Sequence, residues 1–184
     1  MVEKDYESLK IENMVASGVI AESIDLFEFT EKVENCEFNK KRFPGAVFRI
    51  EDPKIACLIF SSGKIVITGV RDNKSLEIGI EKVLKALNDA GIKPLDKPDI
   101  AVTNMVCSYN LERKINLNKM AVTLNIENVE YEPEQFPGLV YRIFDPKIVC
   151  LIFSSGKTIL TGGKNLEDVK RGVDVLEKTL DNIL

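Results

Sequence analysis

The strongest constraint on the fold of this chain is an internal duplication. The octet CLIFSSGK occurs twice, at 57–64 and at 150–157. Around it, residues 49–69 and 142–162 agree at sixteen of twenty-one positions. Self-similarity at a fixed offset means that each copy encodes the same structural unit. Only two copies are present, which indicates a tandem duplication rather than a solenoid.

The duplication also extends upstream of the octet. RFPGAVFR (42–49) aligns with QFPGLVYR (135–142) at an offset of 93, and IENMVAS (11–17) aligns with VTNMVCS (102–108) at an offset of 91. The change of offset places a two-residue insertion in the second copy, upstream of its Phe-Pro-Gly. We therefore predict two repeats, 1–91 and 92–184, of about 90 residues each.

Each copy predicts the same order of elements. A strand surrounds Asn13 or Asn104, and a short helix follows near 25–34 or 117–124. Several strands come next, separated by turns at Phe-Pro-Gly, Asp-Pro-Lys and Ser-Ser-Gly-Lys, because proline and glycine interrupt regular structure. This order predicts an α+β fold in which a mostly antiparallel sheet carries its helices on one face.

A long amphipathic helix closes each copy. The helices are predicted over 75–90 and 165–183, where apolar residues recur at spacings of three, four and seven. Asn73 or Ser75 is the predicted N-cap of the first helix and Asn165 that of the second. Both helices have one apolar side and therefore need a sheet to cover.

The octet begins with a strand that is apolar on both faces. Alternate side chains of a strand point to opposite faces. The two sets in the first copy are Ile55, Cys57 and Ile59 on one face, and Ala56, Leu58 and Phe60 on the other. Helices can cover only one set, so we expect the other to be an interaction surface. A second sheet or a homodimer that buries this face is the alternative.

Composition excludes several kinds of catalytic site. The chain has no histidine, which excludes Ser-His and Cys-His nucleophile pairs and His-based zinc sites. Its four cysteines form no CxxC pair, and we expect them to be buried core residues. Leu151 stands where a phosphate-binding loop ending at 156–158 would need glycine. Asp52 and Asp145 lie in turns, so we predict that the chain is not an enzyme.

Charge and hydropathy limit the remaining classes. The net charge is −4, so a simple basic footprint for nucleic acid is absent, and any such site needs its cations on one face. No apolar run reaches the roughly 18–20 residues of a membrane span. The charged N-terminus lacks an apolar signal segment, and these features together predict a soluble intracellular protein.

The duplicated motifs resemble those of the TATA-box-binding protein family, the general transcription factors of archaea and eukaryotes. They are NMV at 13–15 and 104–106, RFPGAV and QFPGLV, the two LIFSSGK segments, and ITG and LTG. The resemblance covers about 7–184 and matches the core of the family without the long N-terminal extension of many eukaryotic members, which points to an archaeal protein.

The resemblance implies both a fold and a function. The fold is an α+β pseudo-twofold saddle, in which ten antiparallel strands form one curved sheet and four helices lie on its convex face. The implied function is that of a general transcription initiation factor that binds the TATA box in the DNA minor groove and needs no cofactor. The implied location is the archaeal cytoplasm, on the nucleoid, or the nucleus if the source is eukaryotic.

The resemblance also implies which residues contact bases. The minor groove presents only acceptors at A·T pairs, whereas G·C pairs add an amino donor. An apolar face with few hydrogen-bonding groups therefore suits A·T pairs. The implied contacts are polar at Asn13, Asn104, Thr68 and Thr161, and apolar at Val15, Val106, Leu58, Leu151, Val66 and Ile159.

Four phenylalanines match the intercalating pairs of the family. They are Phe43 with Phe60, and Phe136 with Phe153. A ring wedged between base pairs unstacks and kinks the duplex at a cost of roughly a few kcal/mol per step. Flexible TA steps lower that cost. Phe27, Phe29 and Phe38 lie outside the matching motifs, and we predict that they are core residues.

The implied phosphate contacts flank the apolar strands. They are Arg42, Arg49, Lys54 and Lys64 with Ser62, and Arg142, Lys147 and Lys157 with Ser155. If all seven cations engage phosphates, the logarithm of the binding constant should fall with the logarithm of salt concentration at a slope of about −6. Gln135 stands where the first copy has Arg42, so one contact is lost in the second.

Protein partners are implied as well. In the family, transcription factor B binds the loop at 131–138, where Glu132, Glu134 and Gln135 are expected to be exposed, and RNA polymerase joins the resulting complex. The corresponding segment at 37–45 is basic, which would direct this partner to one end. A homodimer in the absence of DNA, and a module that binds peptide or lipid, are the alternatives. Duplicated cations beside the phenylalanines argue against the module.

Overall fold

The computed structural model describes residues 6–184, which form two compact units. The first-repeat unit comprises Asn13–Thr103. The second-repeat unit comprises Asn104–Leu184 together with the described residues up to Glu12.

The first-repeat unit contains five strands and two helices. They are β1 (Lys10–Val19, which begins just ahead of the unit), α1 (Leu26–Lys32), β2 (Cys36–Glu37), β3 (Ala46–Ile50), β4 (Ile55–Ile59), β5 (Lys64–Val70) and α2 (Asn73–Asp89). The strands lie in the order β2-β3-β4-β5-β1, and their pairings are antiparallel.

The second-repeat unit repeats this arrangement. Its elements are β6 (Ile100–Asn110, which begins just ahead of the unit), α3 (Leu117–Thr123), β7 (Val129–Glu130), β8 (Leu139–Ile143), β9 (Ile148–Ile152), β10 (Lys157–Gly163) and α4 (Leu166–Ile183). The strands lie in the order β6-β10-β9-β8-β7, again with antiparallel pairings. The predicted α+β class, with ten antiparallel strands and four helices, is confirmed.

The helices cover one face of the strands in each unit. On β4, Ile55, Cys57 and Ile59 are buried, whereas Leu58 between them is half-exposed. Helix α2 packs against the buried face so closely that a Cβ atom at Gly79 would lie 2.9 Å from the Ile55 side chain. One side of the octet strand is thus covered by helix, as expected, and the other is not.

We call the uncovered side of each unit its open face. Strand register aligns Leu58 with Val47 and Val66 in one unit, and Leu151 with Val140 and Ile159 in the other. The open face of the first-repeat unit consists of Asn13, Val15, Val47, Leu58, Val66 and Thr68, and that of the second consists of Asn104, Val106, Val140, Leu151, Ile159 and Thr161.

The long helices are capped by side chains, and one predicted cap was wrong. Asn165 caps α4 by accepting a hydrogen bond from the Asp168 N–H at 2.9 Å, as predicted. Helix α2 is capped by Asp72 rather than by Asn73 or Ser75, because Asp72 has extended backbone and accepts from the Ser75 N–H at 2.7 Å. That hydrogen bond holds the pKa of the Asp72 carboxyl below its usual value.

Three of the four cysteines lie in the core. Cys57, Cys107 and Cys150 are buried, and burial raises the thiol pKa to about 12 for Cys57 and Cys150 and to about 11 for Cys107. These thiols therefore carry no appreciable thiolate near neutral pH. The prediction of a buried residue was wrong for Cys36, which is half-buried because β2 lies at the edge of its sheet.

The phenylalanines outside the motifs divide differently from the prediction. Phe29 is fully buried, as predicted. Phe27 is 64% exposed, so the prediction of a core residue was wrong. It lies on the outer side of the short helix α1 and contacts Phe38 edge-to-face, with ring centroids 5.0 Å apart. Phe38 is only half-buried, so the prediction of a core residue was wrong for it too. Among residues 6–184, no helix is long and apolar enough to cross a bilayer.

The Ser-Ser-Gly-Lys turn requires its glycine in both repeats. Gly63 and Gly156 have φ of +87° and +95°, in the left-handed region that favours glycine. A Cβ atom at Gly63 would also collide with the carbonyl oxygen of Ala21. The turn holds Phe60 at the end of β4, because the Gly63 N–H donates to the Phe60 carbonyl at 2.9 Å.

We expect Gly63→Ala to destabilise the fold by at least about 2 kcal/mol, since it combines backbone strain with a backbone collision. Gly91→Ala is the matched control. Gly91 also has a positive φ of +77°, but a Cβ atom there meets nothing within 4 Å, so we expect a cost of only about 1 kcal/mol. Urea denaturation of both variants measures the difference, and equal midpoints would contradict the collision.

Candidate nucleic-acid interface

A hydrogen-bonded Asn–Thr pair lies on the open face of the first-repeat unit. Asn13 Nδ2 donates to Thr68 Oγ1 at 3.2 Å, and Asn13 Oδ1 accepts from the Gly69 N–H at 2.7 Å. The second-repeat unit has the same arrangement: Asn104 Nδ2 donates to Thr161 Oγ1 at 3.3 Å, and its Oδ1 accepts from the N–H of the following Gly162. The sequence had indicated these residues separately, and the structure joins them.

A β-bulge releases the backbone donor that holds each asparagine. In the pairing of β1 with β5, Met14 lies opposite Val70 and Ala16 lies opposite Ile67, so β5 carries one extra residue. The extra residue of a bulge is left out of the ladder. The N–H of Gly69, within this bulge, therefore bonds to the Asn13 side chain instead of to a strand.

This bond fixes the orientation of the amide. A backbone N–H can donate only to the oxygen of a carboxamide, so Oδ1 of Asn13 must face Gly69 and Nδ2 must face the Thr68 hydroxyl. Nδ2 carries two hydrogens, and only one of them is directed at Thr68. The described residues supply no second acceptor, and the half-exposed Asn13 can present that N–H to a ligand.

Two phenylalanine rings lie together at the end of each open face. Phe43 and Phe60 pack edge-to-face with centroids 5.7 Å apart, and Phe136 and Phe153 do so at 5.8 Å. Phe43, Phe60 and Phe153 are half-exposed, and Phe136 is 40% exposed. Large aromatic surface of this kind is normally buried in a soluble protein, so its repeated exposure indicates a ligand-contacting role.

The glycine of Phe-Pro-Gly makes room for each ring pair. A Cβ atom at Gly45 would lie 2.9 Å from the Phe43 ring and 3.1 Å from the Phe60 ring. The corresponding distances at Gly138 are 2.8 Å to Phe136 and 3.2 Å to Phe153. The two motifs that recur in the sequence, Phe-Pro-Gly and Phe-Ser-Ser-Gly-Lys, thus meet in space, because each contributes one ring.

The predicted phosphate-contacting cations are exposed in both units. They are Arg42, Arg49, Lys54 and Lys64, and Arg142, Lys147 and Lys157. Two of them already have acidic partners: Arg49 pairs with Glu37 at 3.5 Å and Arg142 with Glu130 at 3.1 Å. For the other five, the described residues supply no ion pair. Ser62 and Ser155 are exposed in the adjoining turns.

One apolar residue of each open face was not expected from the sequence. Val47 and Val140 complete the apolar rows, and their equivalence at an offset of 93 was the signal that could have found them. An acidic group beside the second open face was not expected either: the Ser108 hydroxyl donates to Glu12 at 2.8 Å. Glu12 and Ser108 line a groove of about 1050 Å³ together with Phe153 and Lys157.

One family model matches most of the chain. It is described as transcription factor TFIID, or TATA-binding protein, and it matches residues 8–90 and 99–183. The two matched stretches contain the two copies of the motif set.

Archaeal proteins and a solved structure are similar to the chain over nearly its whole length. TATA-box-binding protein 1 of Methanosarcina acetivorans is 52% identical over 176 residues, covering 96% of each chain. The TATA-box-binding protein of Archaeoglobus fulgidus is 45% identical over 177 residues, again covering 96% of each. The structure of the Methanococcus jannaschii TATA-binding protein matches with a TM-score of 0.88 at 45% identity, covering 96% of this chain and 99% of that one.

Proposed function

Because this chain belongs to the TATA-box-binding protein family, we propose that it is a general transcription initiation factor that binds TATA-box DNA in the minor groove through its two open faces. The observation that carries the proposal is that both units present the same set of groups on this face. Each set combines an apolar row, an oriented asparagine N–H and an exposed pair of phenylalanine rings. Membership of a transcription-factor family confirms the prediction that the chain is not an enzyme.

The hydrogen-bonding groups and the apolar row of the open face suit A·T pairs. At A·T pairs the minor groove offers acceptors, which can receive the remaining N–H of Asn13 and of Asn104. At a G·C pair the guanine amino group would face the side chains of Leu58 and Val66 without an acceptor, and an unsatisfied donor costs about 1–3 kcal/mol. The apolar row therefore contributes to selectivity by excluding the amino group.

The phenylalanine pairs provide a means of bending the duplex. In this proposal, each pair inserts at one end of the site and unstacks a base step, and the wider contact that bending permits offsets that cost. Edge-to-face packing holds the rings before DNA arrives, so less side-chain entropy is lost on binding. The exposed cations then contact phosphates along the widened groove, after Arg49 and Arg142 exchange their carboxylate partners for phosphate.

The proposed protein partners are transcription factor B and RNA polymerase. The loop that carries Phe136 is held by two hydrogen bonds to the Glu132 carbonyl, from the N–H groups of Gln135 and Phe136, both at 2.9 Å. Glu132, Glu134 and Gln135 are exposed in this loop. They support a contact between the loop and a basic surface of transcription factor B, which would bring the polymerase to the promoter.

The proposed location is the archaeal cytoplasm, on the nucleoid.

Reversing the charge of this loop tests the partner contact. We expect Glu132→Lys combined with Glu134→Lys to weaken the ternary complex with transcription factor B but not the binary complex with DNA. The physical reason is that like charges would then face each other at the protein contact, whereas added cations do not repel phosphate. Gel-shift titrations with and without the partner measure both, and an equal loss in the two titrations would contradict the assignment.

A duplex titration tests the function itself. Two duplexes labelled at both ends with fluorophores are compared, one carrying TTTATATA and one with those bases replaced by G·C pairs. We expect tight binding to the first only, with increased energy transfer between its ends as the DNA bends. Equal binding to both duplexes across a range of salt and temperature would overturn the proposal. Concentration-dependent dimers in the same samples would then favour a homodimer that buries the open faces.

A further inference from the structure

The turn that carries Phe43 presents three cationic residues on a hydrogen-bonded backbone. The N–H groups of Arg42 and Phe43 both donate to the Asn39 carbonyl at 3.0 Å, and the Lys41 N–H donates to Asn39 Oδ1 at 3.1 Å. Lys40, Lys41 and Arg42 are all exposed. We call residues 39–43 the first-repeat loop. The backbone that carries the three cations is thus held within three residues of Phe43, one of the proposed intercalating rings.

The equivalent turn of the second repeat has the same two backbone hydrogen bonds and the opposite charge. The second-repeat loop, residues 132–136, also makes two N–H hydrogen bonds to the carbonyl of its first residue. Its charged side chains are Glu132 and Glu134, so its formal charge is −2, against +3 for the first-repeat loop. Two loops that share these hydrogen bonds therefore carry opposite charge beside equivalent phenylalanines.

The cations of the first-repeat loop have no acidic partner among the described residues. Glu37, which precedes the loop, pairs instead with Arg49 at 3.5 Å. A duplex carries one negative charge per about 1.7 Å of its axis, so any base step that Phe43 enters has phosphates beside this loop. Three exposed cations without an acidic partner among the described residues suit the phosphates of the duplex backbone.

We propose that Lys40 and Lys41 are additional phosphate-contacting residues, present in the first repeat only, and that the two repeats therefore bind DNA with unequal electrostatic strength. This inference rests on the proposed DNA-binding function. It adds two contacts to the seven cations that the repeats predict, and so steepens the expected salt slope from about −6 to about −8. An acidic protein segment is the competing ligand for the same patch.

The test compares two variants of equal charge. Lys40→Gln with Lys41→Gln removes the proposed contacts, whereas Lys85→Gln with Lys93→Gln removes two exposed cations from α2 and the segment after it. Affinity for the TATA duplex is measured between 50 and 200 mM salt. We expect the loop variant to lose about two units of slope, which makes its binding about tenfold less salt-sensitive over this range. The control should keep the wild-type slope.

The outcomes separate this inference from the proposed function. Selective binding of the wild type to the A·T duplex supports the function whatever the variants do. Equal slopes for the wild type and the loop variant would overturn the inference. So would a loop variant that binds DNA like the wild type but no longer retains an acidic peptide that the wild type binds, because the patch would then serve a protein. Matched thermal unfolding of the variants confirms that both remain folded.

Discussion

Replacing Phe43 and Phe60 together by alanine is expected to weaken binding to TATA DNA by about 2–6 kcal/mol. Stacking of a base on an aromatic side chain is worth about 1–3 kcal/mol by alanine substitution, and this variant removes two rings. The lower bound already corresponds to about a 30-fold loss of affinity. The same change at Phe136 and Phe153 should have an effect of similar size.

The bend provides a second readout for this variant. If the rings act as wedges, end-to-end energy transfer in the bound duplex should fall even at protein concentrations that restore full binding. Purely apolar contact would reduce affinity while leaving the bend unchanged, so an unchanged transfer efficiency in the saturated complex would contradict intercalation.

The matched control for the wedge variants is Phe27→Ala with Phe38→Ala. These rings also form an edge-to-face pair, at 5.0 Å, and Phe27 is more exposed than any of the wedge residues. The pair lies neither on the open face nor in the Phe-Pro-Gly and Ser-Ser-Gly-Lys motifs at its end, because Phe27 is on α1 and Phe38 follows β2. We expect the control to lose a comparable amount of folding stability, about 0.5–1.5 kcal/mol for the aromatic pair, without a change in DNA affinity or bending.

Changing Asn13 and Asn104 together to aspartate is expected to lower affinity for the TATA duplex by at least about 3 kcal/mol, or more than a hundredfold. The substitution is nearly isosteric, and one carboxylate oxygen can still accept the Gly69 or Gly162 N–H. The other oxygen replaces the outward N–H, so an anion faces the acceptors of the groove. A buried charge without a partner costs more than a neutral group without one.

Fluorescence titration of this variant with the TATA duplex measures the loss, and Asn118→Asp with Asn128→Asp provides a control of equal charge outside the open faces. If the carboxylates are responsible, lowering the pH should restore part of the binding, because a protonated carboxyl can donate a hydrogen bond. Loss of affinity in the variant and the control alike would assign the effect to net charge and contradict a local role for the two asparagines.

The asparagines also show where prediction from the sequence stopped. Their place in the duplicated NMV motif identified both residues, and the family resemblance implied a base contact. The orientation of the amide depends on a bond to Gly69, 56 residues away, and on a bulge between β1 and β5. No local pattern encodes which backbone N–H a bulge will release, because this depends on strand register.

The incorrect predictions concern properties that depend on the surroundings of a residue rather than on its type. Asp72 was missed as the cap of α2 because three residues of capping type, Asp72, Asn73 and Ser75, precede the apolar pattern, and only backbone geometry shows which one lies outside the helix. Phe27 and Cys36 were assigned to the core because their residue types are usually buried. Both lie on short elements at the margin of the first-repeat unit, where burial depends on what packs above them rather than on residue type.

By itself, the sequence determined the duplication, the element order, the amphipathic helices and the presence of an apolar strand face that helices could not cover. These features follow from local periodicity and from comparing one half of the chain with the other. Only the tertiary structure decided that each asparagine is held by a bulge, that two distant motifs bring their rings within 6 Å, and that Arg49 and Arg142 pair with glutamates. The physical reason is that periodicity follows from a residue's own backbone, whereas these contacts depend on how separate strands come into register.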